Sequence, residues 1–447
     1  MLVTLIITKN LLNIRGITMG DYRKLWENLN MDLEKHDILC EALPEAFGSI
    51  YLTQENRPEN MNYFNYALAE VHGARIQELN EAKEKGKKVV GTFCVFVPDE
   101  VILASGAIGV GLCSGSQFWI EDGEKVLPRN LCPLIKAFVG AKVSRTCPYF
   151  QSCDMIVGET TCDGKKKAYE IVEEYMPVHV MELPQMKREK NYEQWKDEIK
   201  LFINRMEELT GNEVTVENLK KAIDLCNRKR KALKRLYDLR KNTPSPISGL
   251  DALLVSQIAF LDDIERFIEN TNKLCDELEK RVKSLKANGK KRIMVTGTPM
   301  AIPNWKLHSI VESLDAEIVV EETCTGTRYF EGEVSTEGDT IDDLLNNLAD
   351  RYMNINCACF TPNEGRTEDI IRYAEEYNVD GVIYYNLSFC HTYAIEYKKI
   401  EKALKERNIP ILNIETDYSE EDAGQIKTRV EAFLEMIGSG KELHTIS

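Results

Sequence analysis

Two apolar runs of this chain each deliver a cysteine to the point where a strand hands over to a helix. The first, Met155-Ile-Val-Gly-Glu159, is followed by Thr-Thr-Cys162-Asp-Gly and a lysine-rich helical stretch. The second, Gly381-Val-Ile-Tyr-Tyr-Asn386, is followed by Leu-Ser-Phe-Cys390-His-Thr. A buried strand that feeds a helix is the unit of parallel α/β sheets. In such sheets the carboxyl ends of the strands face the crevice where ligands bind, so the two thiols are expected to look into one cleft from two domains. Thiols placed that way point to a metal cluster rather than to packing.

The same alternation runs through two blocks of the chain. Residues 21–87 have mostly helical spacing. Residues 88–98 then read as a buried strand stopped by Pro98, 99–105 as a short helix and 109–113 as a second strand; a helix follows Cys132-Pro133, and 177–183 is a short strand. Residues 192–285 are rich in Glu, Lys, Leu and Arg at helical spacing, with a break at 242–249. Strands recur at 291–299, 316–321, 380–386 and 409–414. The expected fold is α/β: two parallel-sheet α/β domains joined by a helical region, with a cluster in the cleft between them. The boundaries read 1–18 as an unstructured or mis-started N-terminus ahead of Met19, 19–87 as an N-terminal helical segment, 88–190 as the first α/β domain, 191–289 as the connecting region and 290–447 as the second α/β domain.

Thirteen cysteines and no secretory signal argue for reduced, metal-bound or catalytic thiols in a cytoplasmic protein. A formal charge of −15 argues against nucleic acid or anionic lipid as a partner, and the apolar residues 2–14 are too short to span a membrane. Predicted strands end at or near Cys94, Cys113 and Cys162 in the first block and Cys324 and Cys390 in the second. A single core cysteine is ordinarily a small buried hydrophobe, but five at strand ends are harder to assign to packing. Cys132, Cys162 and Cys390 immediately precede helices, whose positive ends and free N–H groups lower a thiol's pKa. Cys147-Pro148 copies the Cys132-Pro133 arrangement, and Cys357-Ala-Cys359 is a tight pair on a loop. Cys40, Cys226 and Cys275 lie in helical surroundings and read as structural.

C-x-x-C is absent, which disfavours structural zinc, and no local four-cysteine ferredoxin run occurs. An iron–sulfur cluster would therefore have to be assembled from both blocks. The glycines at 158 and 164 have five residues between them rather than the four of a phosphate loop. Gly109-Val-Gly111 matches a dinucleotide fingerprint only loosely. His391 is either a proton donor beside Cys390 or a helix-start residue. Lys165, Lys166 and Lys167 either balance cluster charge or form an exposed helix face.

Taken together, Gly91-Thr-Phe-Cys94-Val-Phe-Val-Pro-Asp-Glu100, Leu127-Pro-Arg-Asn-Leu-Cys132-Pro, Thr146-Cys-Pro-Tyr-Phe150, Gly158-Glu-Thr-Thr-Cys-Asp-Gly-Lys-Lys-Lys167, Val180-Met-Glu-Leu-Pro184, Glu322-Thr-Cys-Thr-Gly326 and Cys390-His-Thr-Tyr-Ala394 resemble the double-cubane cluster proteins. These are relatives of the 2-hydroxyacyl-CoA dehydratases and benzoyl-CoA reductase cluster subunits. The likeness runs in motif order over roughly residues 60 to 440. It implies a 4Fe-4S cubane on Cys132, Cys162 and Cys390. A second, sulfide-bridged cubane is implied on Cys94, Cys113 and Cys324, with Cys147, Cys357 and Cys359 as alternates.

The resemblance further implies an anaerobic, homodimeric iron–sulfur oxidoreductase acting on a small, hard-to-reduce substrate. Electrons would come from a separate ATP-hydrolysing iron–sulfur reductase. A 2-hydroxyacyl-CoA dehydratase subunit and a non-enzymatic electron-storage protein are the competing expectations; an excess of strand-end thiols over three separates the first reading from the dehydratase.

Overall fold

The computed structural model describes residues 20–439, so the expectation for residues 1–18 lies outside the described residues. Two four-stranded, fully parallel sheets organise the chain. The first comprises β1 (Val89–Thr92), β2 (Ile108–Gly111), β3 (Met155–Glu159) and β4 (Val178–Met181); the second comprises β5 (Lys291–Gly297), β6 (Ala316–Glu322), β7 (Gly381–Leu387) and β8 (Ile411–Thr416). Their spatial orders, β2-β1-β3-β4 and β6-β5-β7-β8, are the same path taken twice. In each, the chain steps outward from the first strand to the second and then returns to the first strand's other side. That reversal opens a crevice at the carboxyl ends of β1 and β3, and of β5 and β7.

The strands form because their residues are buried on both faces. Every residue of β1, β3, β6 and β7 is buried, as parallel strands covered by helices require. Residues 93–97 stay as apolar as the strand before them but leave the ladder after Thr92. The expected strand at 88–98 is therefore only four residues long, and Phe93, Val95, Phe96 and Val97 are buried as a loop wall instead.

Helices α1 (Gly20–Asn28), α2 (Leu33–Ile50), α3 (Met61–Ala69) and α4 (Ala74–Glu84) precede the first sheet. Within it lie α5 (Asp99–Ala104), α6 (Ile120–Glu124), α7 (Pro133–Val143), α8 (Pro148–Ser152) and α9 (Asp163–Glu173). Between the sheets run α10 (Glu189–Thr210), α11 (Val216–Leu239), α12 (Gly249–Ile258) and α13 (Ile264–Val282). The second sheet carries α14 (Lys306–Glu312), α15 (Thr327–Phe330), α16 (Ile341–Met353), α17 (Glu364–Glu376), α18 (His391–Glu406) and α19 (Ala423–Ser439).

Helix α11 ties the two halves together. Arg230, buried on its inner face, donates to Glu100 Oε1 of α5 at 2.6 Å, and Tyr352 of α16 donates to Glu100 Oε2 at 2.7 Å. Just beyond the helix, Arg240 makes a bidentate pair with Glu321 of β6 at 2.7 and 2.8 Å, joined by His308 Nε2 at 3.0 Å. Both pairs are dry, so each depends on its partner to offset desolvation. Two glycines let the halves approach. A Cβ at Gly111 would stand 2.7 Å from Phe260, and one at Gly115 would stand 2.1 Å from the Ala301 carbonyl. These close contacts, rather than a dinucleotide, account for Gly111 and Gly115.

Burial opposes the charge of Glu321, but Arg240 and His308 outweigh it and hold its pKa down at about 2. Its contribution to stability is present above the ordinary carboxyl value of 4.5 and is lost as pH falls from there toward about 2. Glu321→Gln, which leaves Arg240 buried without a counter-charge, is expected to cost about 3–5 kcal/mol at neutral pH. It should also flatten the acid dependence of the urea midpoint in that window; an unchanged midpoint at neutral pH contradicts this account.

Candidate metal centre

The carboxyl ends of the two sheets open onto one cavity of about 480 Å³, and eight cysteines line it: Cys94, Cys113, Cys132, Cys162, Cys324, Cys357, Cys359 and Cys390. Five of them follow strands by two or three residues, after β1, β2, β3, β6 and β7. Cys132 comes from the crossover between β2 and β3, and Cys357 and Cys359 come from the loop between α16 and α17 in the matching crossover of the second sheet. The repeated topology therefore supplies thiols from equivalent places on both sides.

Cys132, Cys162 and Cys390 each sit at the residue before a helix, α7, α9 and α18 respectively. A hydrogen bond from Cys390 lowers the pKa of Cys132, helped by the amides of Leu134 and Ile135 and by Lys136. The same bond pushes Cys390 up, with burial adding to it. The pair thus gives up one proton readily and its second reluctantly. Burial raises Cys162, while the Lys165 amide acts in the opposite direction.

A second group faces it. Cys357 is held well below the usual thiol range, first by a hydrogen bond from Cys359 and then by Arg328. Burial raises Cys94, pushes Cys324 up to about 11 and pushes Cys113 up to about 12. Cys94 lies within electrostatic reach of Cys324 and Cys357, and Cys113 within reach of Cys324. Of the expected alternates, Cys357 and Cys359 therefore share the cavity. Cys147 does not: it is buried in a separate apolar space of about 70 Å³ that Cys113 also borders, close to Cys153.

Two buried cations stand behind these thiols. Lys165 is ion-paired with Glu159 and lies 4.7 Å from the centre of the Phe93 ring. Burial works against its charge, but Cys94, Glu159 and Tyr169 hold its pKa well above the ordinary lysine value. Lys166 and Lys167 are exposed, so only the first lysine of the run faces inward. Arg328 pairs with Glu322 at 3.0 Å and with Tyr393, and its charge acts on Cys324 and Cys357. The motif around Cys324 contains no sign of this arginine, which lies four residues further on. His391 stands exposed at the cavity's edge beside Phe389, whose backbone is left-handed at φ 63°.

Gly158 and Gly164 are required by side chains. A Cβ at either would collide, with the Tyr169 ring at 2.0 Å or with Leu131 at 2.7 Å. That is a packing reason for the loop that superficially resembled a phosphate site.

Eight thiols are more than a tetrahedral ion takes, and they surround far more space than one ion fills. Together with two buried cations and three helix starts, this donor set fits an anionic polynuclear iron–sulfur group. A family model described as "2-hydroxyglutaryl-CoA dehydratase, D-component" matches residues 94–437, a span that contains all eight cysteines. The chain belongs to that family.

Relatives of this dehydratase family extend over most of the chain. "Putative dehydratase subunit YjiM" of Escherichia coli (strain K12) is 42% identical over 365 residues, covering 80% of this chain and 93% of that protein. The "(R)-phenyllactyl-CoA dehydratase beta subunit" of Clostridium sporogenes is 25% identical over 383 residues, covering 84% and 98%. A benzoyl-CoA reductase subunit of Thauera aromatica is 23% identical over 356 residues, covering 77% and 88%. Among the described residues no helix is long and apolar enough to cross a membrane.

Single replacements Cys132→Ala, Cys162→Ala and Cys390→Ala are each expected to lose iron on anaerobic purification, while Cys226→Ala, buried in α11, keeps it. Iron content of Cys390→Ala equal to that of the unmodified protein would contradict the assignment of Cys390, with Cys132 and Cys162, as a ligand of the centre.

Proposed function

We propose that this chain is the catalytic component of an ATP-dependent, two-component reductase. It holds a double-cubane iron–sulfur cluster and passes low-potential electrons to a small, hard-to-reduce molecule. A separate ATP-hydrolysing iron–sulfur reductase delivers the electrons, and the chain works as a homodimer in the cytoplasm. Residues 88–190 and 290–447 form the two cluster-holding domains, with 191–289 as the helical connection and 19–87 as an N-terminal helical addition. The observation that carries this reading is the second group of thiols, Cys94, Cys113, Cys324, Cys357 and Cys359, on the cavity that Cys132, Cys162 and Cys390 already line.

In this reading Cys132, Cys162 and Cys390 hold the first cubane. Cys94, Cys113 and Cys324 hold the second, with Cys357 and Cys359 close enough to take the place of one of them. Bound there, the cluster would supply single electrons at low potential. Lys165 and Arg328 set positive charge against it from both sides, and the buried walls keep bulk water away.

Reduction also consumes protons, and Asp99 is placed to hold one. Its carboxyl lines the cavity and accepts from Tyr329 at 3.2 Å, and burial, despite nearby Lys229, raises its pKa above the ordinary carboxylate value. Arg230, Arg351 and Tyr352 complete that polar wall.

The dehydratase names of several relatives favour a second reading, a subunit that eliminates water from a 2-hydroxyacyl thioester. It needs three thiol ligands and an open iron, and leaves the second group without a task. Replacing Cys94 and Cys113 together by serine separates the two. The reductase reading expects loss of about half the iron, on the count of two four-iron cubanes, and loss of small-molecule reduction with reductase and ATP supplied. Full iron retention with intact 2-hydroxyacyl-thioester dehydration supports the dehydratase instead. Circular dichroism must show an intact fold in the variant for either result to count.

A further inference from the structure

Outside the cysteine-lined cavity, though His72 borders the small apolar space that Cys113 also reaches, the N-terminal helices bring together two histidines and a cysteine that the cluster reading does not use. His36 and Cys40 stand one turn apart on α2, the i, i+4 spacing that puts two side chains on one face of a helix. His72 comes from the short connection between α3 and α4. His36 Nε2 lies 3.0 Å from His72 Nδ1, and Cys40 Sγ lies 3.5 Å from His36 Nε2; one ligand-type atom from each residue falls within 4.8 Å of the others.

These separations are close to the edges of a metal tetrahedron. Bonds of about 2.0–2.1 Å to nitrogen and about 2.3 Å to sulfur, opened at the tetrahedral angle, place two nitrogens about 3.3 Å apart and nitrogen and sulfur about 3.5 Å apart. The sulfur also stands 3.8 Å from His36 Nδ1, so it lies beside the ring. Coordination therefore takes a turn of the Cys40 side chain and a small opening of the two rings. The surroundings hold the rings in place: Trp26 packs edge-on against His36 at 4.3 Å, and its indole N–H donates to the His72 carbonyl at 2.8 Å. His36 is fully buried, while Cys40 and His72 are partly open, which gives an ion a way in.

We propose that His36, Cys40 and His72 form a second metal site, distinct from the cluster, for a divalent transition-metal cation of the zinc type. Two imidazoles and one thiolate suit such a borderline ion better than magnesium or calcium, which take oxygen ligands. Three protein ligands leave a fourth position for water, the open arrangement rather than the closed four-ligand one. On binding, the Cys40 thiol releases its proton to solvent. The proton between the two rings moves to the outer nitrogen of its own ring, so both imidazoles stay neutral as ligands. The bound ion would clamp α2 to the chain between α3 and α4.

Cobalt(II) is the probe. Iron-loaded full-length protein titrated anaerobically with Co²⁺ is expected to develop visible bands of a tetrahedral site and a thiolate-to-cobalt band, saturating at one equivalent. Cys40→Ser should abolish the thiolate band, and Cys40→Ser with His72→Gln should weaken binding at least tenfold. Both variants should keep the unmodified protein's iron content. Equal cobalt spectra and affinity in the unmodified protein and the double variant overturn the proposal. If the double variant fails to fold, anomalous scattering at the cobalt edge from crystals of the unmodified protein decides. A peak bounded by His36 Nε2, His72 Nδ1 and Cys40 Sγ supports the site, and no peak there overturns it.

Discussion

Two arginines of one long helical element, Arg230 and Arg240, keep the sheets' carboxyl ends facing each other. Arg230 joins Glu100 of the first half, to which Tyr352 of the second half also bonds, and Arg240 grips Glu321 inside the second sheet. Each charge is buried, so neither pair can open without leaving a charge in a dry interior. A helix pinned within its second half and just past its C-terminus in this way fixes the distance across the cleft. Everything proposed for the cavity depends on that distance, because thiols from two separate sheets must meet the same group.

The cavity's electrostatics follow from where the chain changes direction. Three thiols take positions before helices, where free N–H groups and the helix dipole favour anionic sulfur. Of the second group, Cys94 and Cys113 feel the charge of Lys165 and Cys324 and Cys357 that of Arg328, cations that would otherwise be costly to bury. Glu159 and Glu322 pair with these cations from the far side. Positive charge thus reaches the cavity by two routes, backbone amides at helix starts and buried side chains.

The parallel sheets and the thiols after them were legible because apolar runs bounded by proline, glycine and charged stretches leave little choice of element, and a cysteine directly after such a run has only the crevice to face. Contacts set by the tertiary fold were not legible. Nothing local distinguishes Cys357 and Cys359, which reach the cavity, from Cys147, which shares Cys132's Cys-Pro signature yet faces a different space. Lys165 was hidden in a run of three lysines, of which helical periodicity turns one inward. Arg328 gave no signal at all, since its partner Glu322 is six residues away across a turn. Residues 93–97 read as strand because burial and apolar composition do not reveal where ladder pairing stops. Cys153, which carried no signal in the sequence, packs in the core beside Gly91.

The central claim is that this single cleft holds two cubanes on thiols from both domains. Anaerobic purification followed by iron and acid-labile sulfide analysis per chain tests it most directly. The account predicts roughly eight irons with matching sulfide. Roughly four irons would reduce the centre to a single cubane, and stoichiometric zinc in the cavity without sulfide would contradict the iron–sulfur reading altogether.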